Sequence, residues 1–179
     1  MPIFILLILI LLILFLLIQR LVELRLAAQN RRWALAQGAI EVGAGHYPLF
    51  FLLHGGWLVG WVVEAIRHGP VLSGVWGVWL GLFAAAQLLR YWAIITLGPR
   101  WNTRILIIPG RPPISSGPYR YLRHPNYIAV ALELLAIPLI FNAWLTALSA
   151  TLLNAALLLL IRIPAEEKAL DQTRLTPGN

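Results

Sequence analysis

PIFILLILILLILFLLI, residues 2–18, is almost pure Leu, Ile and Phe and carries no charged side chain. A run of this length approaches the roughly 20 residues that cross a bilayer as a helix. No Lys or Arg precedes it, and it is longer than the apolar core of a secretory signal, so it reads as a retained helix. Four more apolar stretches follow, over residues 47–66, 72–97, 127–141 and 143–161, the last two parted only by Asn142. The fourth is short. It either begins inside the polar segment before it or lies tilted against the fifth. With 60% hydrophobic and only 12% charged residues, against about a quarter charged in soluble domains, the chain is not a soluble globular protein. The fold class is all-α: a polytopic membrane protein with about five transmembrane helices, the last two forming a helical hairpin. The chain has no Cys, which excludes disulfides, a thiolate nucleophile, cysteine metal ligation and C-terminal prenylation.

The net charge of +7 is unevenly placed. Loop one holds Arg20, Arg25, Arg31 and Arg32, loop three holds Arg100, Arg104, Arg111, Arg120 and Arg123, and the tail holds Arg162, Lys168 and Arg174. Five spans put all twelve on one side, against Arg67 on the other, so the positive-inside rule makes that side cytoplasmic and the N-terminus external. Topology and attraction to anionic lipids explain the charge, and no nucleic-acid partner is needed. Gly56/Gly60 and Gly77/Gly81 form G-x-x-x-G pairs that let helices approach, within the monomer or in a dimer. The oligomeric state stays open. Gly43-Ala44-Gly45 lacks the strand-to-helix context of a dinucleotide site. The four His have no metal-ligand spacing, so no metal is expected.

Residues 98–126 form the one long connection, and the Pro109–Gly110 and Pro112–Pro113 pairs forbid a helix through its middle. Connections of this length are usually functional. It ends in G-P-Y-R-Y-L-R-H-P-N-Y, Gly117 to Tyr127, where Pro125 restricts His124 to an extended conformation and can start a helix whose free amides suit an anion. The same residues also suit an interfacial Tyr/Arg belt. Beyond the fifth span, Arg162 and Glu166 stand one helical turn apart with Pro164 between them. The proline predicts a kink or an end near Ile163, then a short C-terminal helix with Glu166 and Glu167 in its first turn. A snorkelling Arg162 and two helix-capping glutamates would serve equally.

Gly117-Pro118-Tyr119, Arg123-His124-Pro125-Asn126-Tyr127 and Arg162 with Glu166-Glu167-Lys168-Ala169-Leu170 resemble the isoprenylcysteine carboxyl methyltransferase family, bacterial members in particular. The resemblance covers about residues 100–170. It implies three N-terminal transmembrane helices over residues 1–97, and over residues 98–179 a methyltransferase core with a cofactor-binding loop facing the cytoplasm of a bacterial inner membrane. It further implies S-adenosylmethionine as cofactor, held by Tyr119, His124, Pro125, Asn126, Tyr127 and Glu166, with Pro113 and Ile114 contributing backbone atoms. Arg162 would face the acceptor, a lipophilic or prenylated molecule arriving from the bilayer. Carboxylates and acidic enols are ionised near neutrality, a carboxyl pKa being about 4, so methyl transfer to them needs positioning rather than a strong base. Prenylcysteine, alkylpyrone, other polyketides and phospholipid amines all remain possible acceptors.

His54, Arg90, Glu133 and Asn154 are polar residues inside apolar runs, where such groups pair or line a path. Arg90 with Glu133 is the expected pair. His54 and Asn154 are candidate substrate-binding residues, although for His54 a hydrogen-bonded packing role fits as well. Two rival functions are an NADPH-dependent reductase related to the sterol reductases, which share an H-x-x-Y hairpin region, and a non-enzymatic membrane carrier or assembly protein.

Overall fold

A computed structural model describes residues 2–175, with side chains for residues 3–171; the side chain of Arg174 lies outside them. Six α-helices carry the fold: α1 (Pro2–Ala36), α2 (Tyr47–Arg67), α3 (Trp76–Leu97), α4 (Pro125–Ile140), α5 (Trp144–Leu157) and α6 (Ile163–Leu175). Two three-residue strands, β1 (Ile40–Val42) and β2 (Ile105–Ile107), pair antiparallel with Ile40 opposite Ile107 and Val42 opposite Ile105. Four helical segments, Ile3–Ala36, Ala44–Arg67, Trp76–Arg100 and Trp144–Asp171, are long and apolar enough to cross a membrane, and Pro125–Ile140 is a shorter apolar helix. This is an all-α polytopic membrane protein.

The first helix corrects the expected loop one. It does not stop near Ile18 but continues through Arg20, Arg25, Arg31 and Arg32 to Ala36. Arg, Leu, Ala and Gln all favour helix, so the end of the apolar run marks a change of surroundings and not of conformation. At about 1.5 Å per residue the helix is about 52 Å long, well beyond the roughly 30 Å hydrocarbon core. Gly38 (φ 79°) ends it: its N–H bonds Leu35 O at 3.0 Å and the Ala39 N–H bonds Ala34 O at 3.0 Å, a pairing that needs a left-handed residue. The buried residues of α1 are Ile5, Leu9, Leu16, Gln19, Glu23, Ala27, Asn30 and Ala34, spaced so as to form one seam.

The core lies where α2, α3 and α5 enclose α4. Ala86 and Ala93 of α3 and Ala129 and Ala136 of α4 are fully buried, and such small side chains let the two helices approach. Trp61 stacks on Phe141 at 5.6 Å, and Trp57 Nε1 donates to Leu134 O at 3.0 Å. The G-x-x-x-G pairs do less than expected. Gly60 packs on Thr146, whereas a Cβ at Gly56, Gly77 or Gly81 would meet no neighbouring helix within 4 Å among the described residues. The hairpin turn uses Asn142 at φ 56°. Glu64 on α2 accepts from the free N–H groups of Leu145 and Thr146, both at 2.9 Å, and so caps the start of α5.

Arg90 and Glu133 do pair, within a larger cluster than the sequence suggested. Arg20 bridges Glu133 and, at 2.7 Å, Glu23. Arg90 also reaches Glu23 at 3.3 Å. Gln19 donates to Glu23 at 2.9 Å and to Gln87 at 2.7 Å, and Gln87 donates to Glu133 at 3.1 Å. Two cations and two anions thus cancel between α1, α3 and α4. Breaking such a pair on one side strands a buried charge, at a cost of about 3–5 kcal/mol. Arg90→Met is expected to lower stability by that order, measured by denaturant or thermal unfolding in detergent. Arg90→Met with Glu133→Met should cost less than the two single changes added, because Arg20 and Glu23 remain as a balanced pair.

Candidate functional site

The chain between α3 and α4 is tied down before it reaches the motif. After a turn at Gly98–Arg100, Asn30 on α1 donates to Trp101 O at 2.8 Å and Asn102 donates back to Ala27 O at 2.9 Å. Glu41 in β1 then joins Arg31 of α1, at 2.9 Å, to Arg104 beside β2. Ile105 and Ile107 pack on Ala165, Ala169 and Leu170 of α6, so the two-stranded ribbon carries the C-terminal helix. The proline-rich return is held by Arg100 Nη1, which donates to Pro112 O at 2.8 Å. Gly117 has φ +55°, and a Cβ there would collide with Thr96. Only glycine opens the motif without strain at this contact with α3.

From Gly117 a single turn of 3₁₀ helix runs to Arg120, and Pro125 starts α4 as the motif predicted. His124 stacks on the Tyr127 ring at 5.1 Å and 7°. The Tyr127 hydroxyl joins the two halves of the site: it donates to Glu166 Oε2 at 2.6 Å and accepts from Arg162 Nε at 2.9 Å. Arg162 Nη2 donates to Thr103 O at 2.8 Å, and the guanidinium carbon lies 5.3 Å and 5.6 Å from the Phe50 and Tyr127 ring centres. Nη1 has no protein acceptor among the described residues. The expected break near Ile163 takes another form. Leu158–Arg162 is a π-helical turn running directly into α6. Pro164 has no N–H to give, and the wide turn accommodates it without ending the helix.

These elements enclose a cavity of about 590 Å³. Pro113, Ile114, Tyr119, His124, Asn126, Tyr127, Arg162 and Glu166 all line it, together with Arg100, Arg104, Glu167 and the ribbon residues 105–107. Three sequence candidates lie elsewhere. Pro125 is buried beneath the cavity wall as the first residue of α4. His54 bonds Phe50 O at 2.7 Å and interacts with Arg20 and Glu133 of the buried cluster. Asn154 is 1% exposed within α5, both its amide atoms lacking a hydrogen-bond partner among the described residues. Sequence reasoning missed Thr103, Phe50 and the Arg31–Glu41–Arg104 link; the polar run Arg100-Trp101-Asn102-Thr103-Arg104 was the visible signal for Thr103 and Arg104, and nothing marked Phe50.

Tyr119 and Glu41, beside the cavity, are shifted in pKa. Desolvation, then the nearby Glu166 carboxylate, pushes the Tyr119 phenol above its ordinary value, so it stays a hydrogen-bond donor at neutral pH. Glu41 is desolvated, which alone would raise its carboxyl, but hydrogen bonds and charge from Arg104 and Arg31 hold it below 4.5. A depressed folded-state pKa gives stability that is complete above about pH 4.5 and is lost as the pH falls through the folded value. Glu41→Gln should therefore lower the melting temperature at pH 7, and the difference from wild type should shrink in melting curves taken at successively lower pH below 4.5.

The segment that builds this cavity, residues 79–172, matches the model of the isoprenylcysteine carboxyl methyltransferase (ICMT) family. The chain belongs to that family of membrane methyltransferases. Among individual proteins, it is 41% identical over 158 residues to the uncharacterized protein YpbQ of Bacillus subtilis (strain 168), covering 87% of this chain and 92% of that one. It is 26% identical over 153 residues to an uncharacterized protein of Haemophilus influenzae (strain Rd), covering 85% and 88%. No solved structure matches.

Proposed function

We propose that the protein is an S-adenosylmethionine-dependent O-methyltransferase acting on a lipophilic acceptor with a carboxylate or acidic hydroxyl. The carrying observation is the Glu166–Tyr127–Arg162 chain, which sets an acid and an arginine with a free edge on one cavity wall. The donor set fits the cofactor. Glu166 and Glu167 offer acceptors to an ammonium or ribose hydroxyls, Pro113 and Ile114 offer apolar surface, and Asn126 Oδ1 is buried there without a partner among the described residues. When bound, S-adenosylmethionine supplies an electrophilic methyl group that leaves sulfur as the acceptor oxygen bonds to it.

The protein's own part is positioning. Tyr127 and Thr103 hold the guanidinium by Nε and Nη2, which leaves Nη1 to receive an oxyanion. A planar, permanently charged fork suits a carboxylate or enolate better than an amine. An acceptor ionised near pH 4 needs no base, and alignment of the two reacting atoms then carries the rate. The acyl or prenyl tail of the acceptor reaches the site from the bilayer. The cavity end of the bundle carries Arg25, Arg32, Arg111, Arg120, Arg123 and Lys168, whereas Arg67 stands at the other end of α2. The positive-inside rule therefore turns the cavity to the cytoplasm, and the bacterial relatives favour an inner membrane.

Labelled S-adenosylmethionine incubated with the purified protein and N-acetyl-S-farnesylcysteine or a long-chain alkyl hydroxypyrone should transfer label to the organic phase. Arg162→Ala should reduce that transfer by about 100-fold or more, as for loss of a buried charged anchor worth roughly 3 kcal/mol. Cofactor affinity in a calorimetric titration should stay within about threefold. Glu166→Gln should show the opposite split, weakening the cofactor about tenfold as one charge-assisted hydrogen bond is lost. A thermal shift with NADPH and none with S-adenosylmethionine would replace this reading by a reductase.

A further inference from the structure

Phe50 lies outside the family-matched segment, in the second turn of α2, yet its ring centre is 5.3 Å from the Arg162 guanidinium carbon. Its backbone and ring are themselves held. The His46 ring meets Phe50 edge-on at 6.3 Å and 69°, and His54 Nδ1–H bonds the Phe50 carbonyl at 2.7 Å. His46 in turn occupies the space beside Gly43, where a Cβ would collide with the imidazole, and Gly43 has φ +66°. The Gly43-Ala44-Gly45 stretch thus seats a histidine, the histidine seats a phenylalanine, and the phenylalanine seats the arginine.

We infer that Phe50 is a positioning residue for the acceptor: its ring face, braced by His46 against Gly43, fixes the Arg162 guanidinium so that Nη1 meets the acceptor oxyanion. The inference rests on the reading of Arg162 as the acceptor anchor. A cation over an aromatic face is attracted by the ring quadrupole, and more strongly where water is excluded. Tyr127 and Thr103 bond two nitrogens of Arg162, but Tyr127 belongs to the cofactor wall and also answers to Glu166. Phe50 is the contact that ties Arg162 to α2. It makes the N-terminal half of the chain part of the acceptor site, while the cofactor wall is built wholly from residues of the second half.

The test compares wild type, Phe50→Leu and Phe50→Tyr in the full-length protein, using the farnesylcysteine and hydroxypyrone probes and calorimetry with S-adenosylmethionine. Leucine keeps an apolar side chain without a π face, and tyrosine keeps the face. Phe50→Leu is expected to lower kcat/KM for the acceptor about tenfold while the cofactor Kd changes less than twofold, and Phe50→Tyr should return to within about twofold of wild type. An unimpaired Phe50→Leu overturns the inference. So does a loss of cofactor affinity matching the loss of turnover, or a Phe50→Tyr as impaired as Phe50→Leu, since either would mark a packing role. Wild-type protein that methylates neither probe and binds no S-adenosylmethionine overturns the methyltransferase reading itself, and the role of Phe50 with it.

Discussion

Four charges in an apolar interior must be neutralised by one another, and that requirement organises this molecule. Arg20, Glu23, Arg90 and Glu133 come from three helices. Each would be very costly to bury alone. Apolar packing tolerates some rotation of a helix, because one leucine face resembles another. An ion cluster tolerates far less, since turning α1 by one residue would remove both Arg20 and Glu23 from their partners. With that rotation set, Asn30 and Ala27 stand two turns further along α1 where Trp101 and Asn102 pass. Arg31 then lies within reach of Glu41. The polar cavity is therefore positioned by a cluster that does not line it.

The cavity has two kinds of wall. One is rigid and local: Gly117, the 3₁₀ turn, His124 and Tyr127 follow one another along the chain and sit on α3 and α4. The other is assembled from distant pieces: a ribbon made of residues 40–42 and 105–107, and a helix that follows the last hydrophobic segment. The Tyr127 hydroxyl is the seam between them: from the first wall it bonds both Glu166 and Arg162 of the second. Glu166 and Arg162 thus share one oxygen atom, which couples the placement of one to the other.

How much of this could be read in advance depended on whether the cause was local. The helix start at Pro125 was legible, because proline suits the first position of a helix, although His124 before it, at φ −130° and ψ 62°, is not in the extended conformation expected. Arg90 with Glu133 was legible, because opposite charges in two apolar runs have nowhere else to go. Arg20, Glu23 and Gln19 were not, since they stand at the edge of an apolar run, where polar residues ordinarily mark the water boundary. The strands β1 and β2 were hidden for a different reason. Three residues each carry almost no periodicity, and their pairing is set by the distant Arg31–Glu41–Arg104 contact. The site residues clustered in the motif were read from local chemistry and from family resemblance. Thr103 and Phe50 could not be, because a backbone carbonyl leaves no mark in a sequence and one phenylalanine among many apolar neighbours does not stand out.

The π-helical turn at Leu158–Arg162 has a consequence for the length of the chain. A π turn holds one residue more than the α-helix it replaces, and each residue advances a helix by about 100°. The face of α5 that packs on the bundle, with Ala147, Ala150 and Asn154, and the face of α6 that packs on the ribbon, with Ala165 and Ala169, are in phase only because that extra residue is present. Losing it would restore an ordinary helix and swing Glu166 by about a quarter turn away from the tyrosine. Substitutions at Leu159 or Leu160, both of which point outward, are thus far cheaper for the lineage than insertions or deletions, and the spacing between hairpin and tail is under tighter constraint than the identity of those two residues.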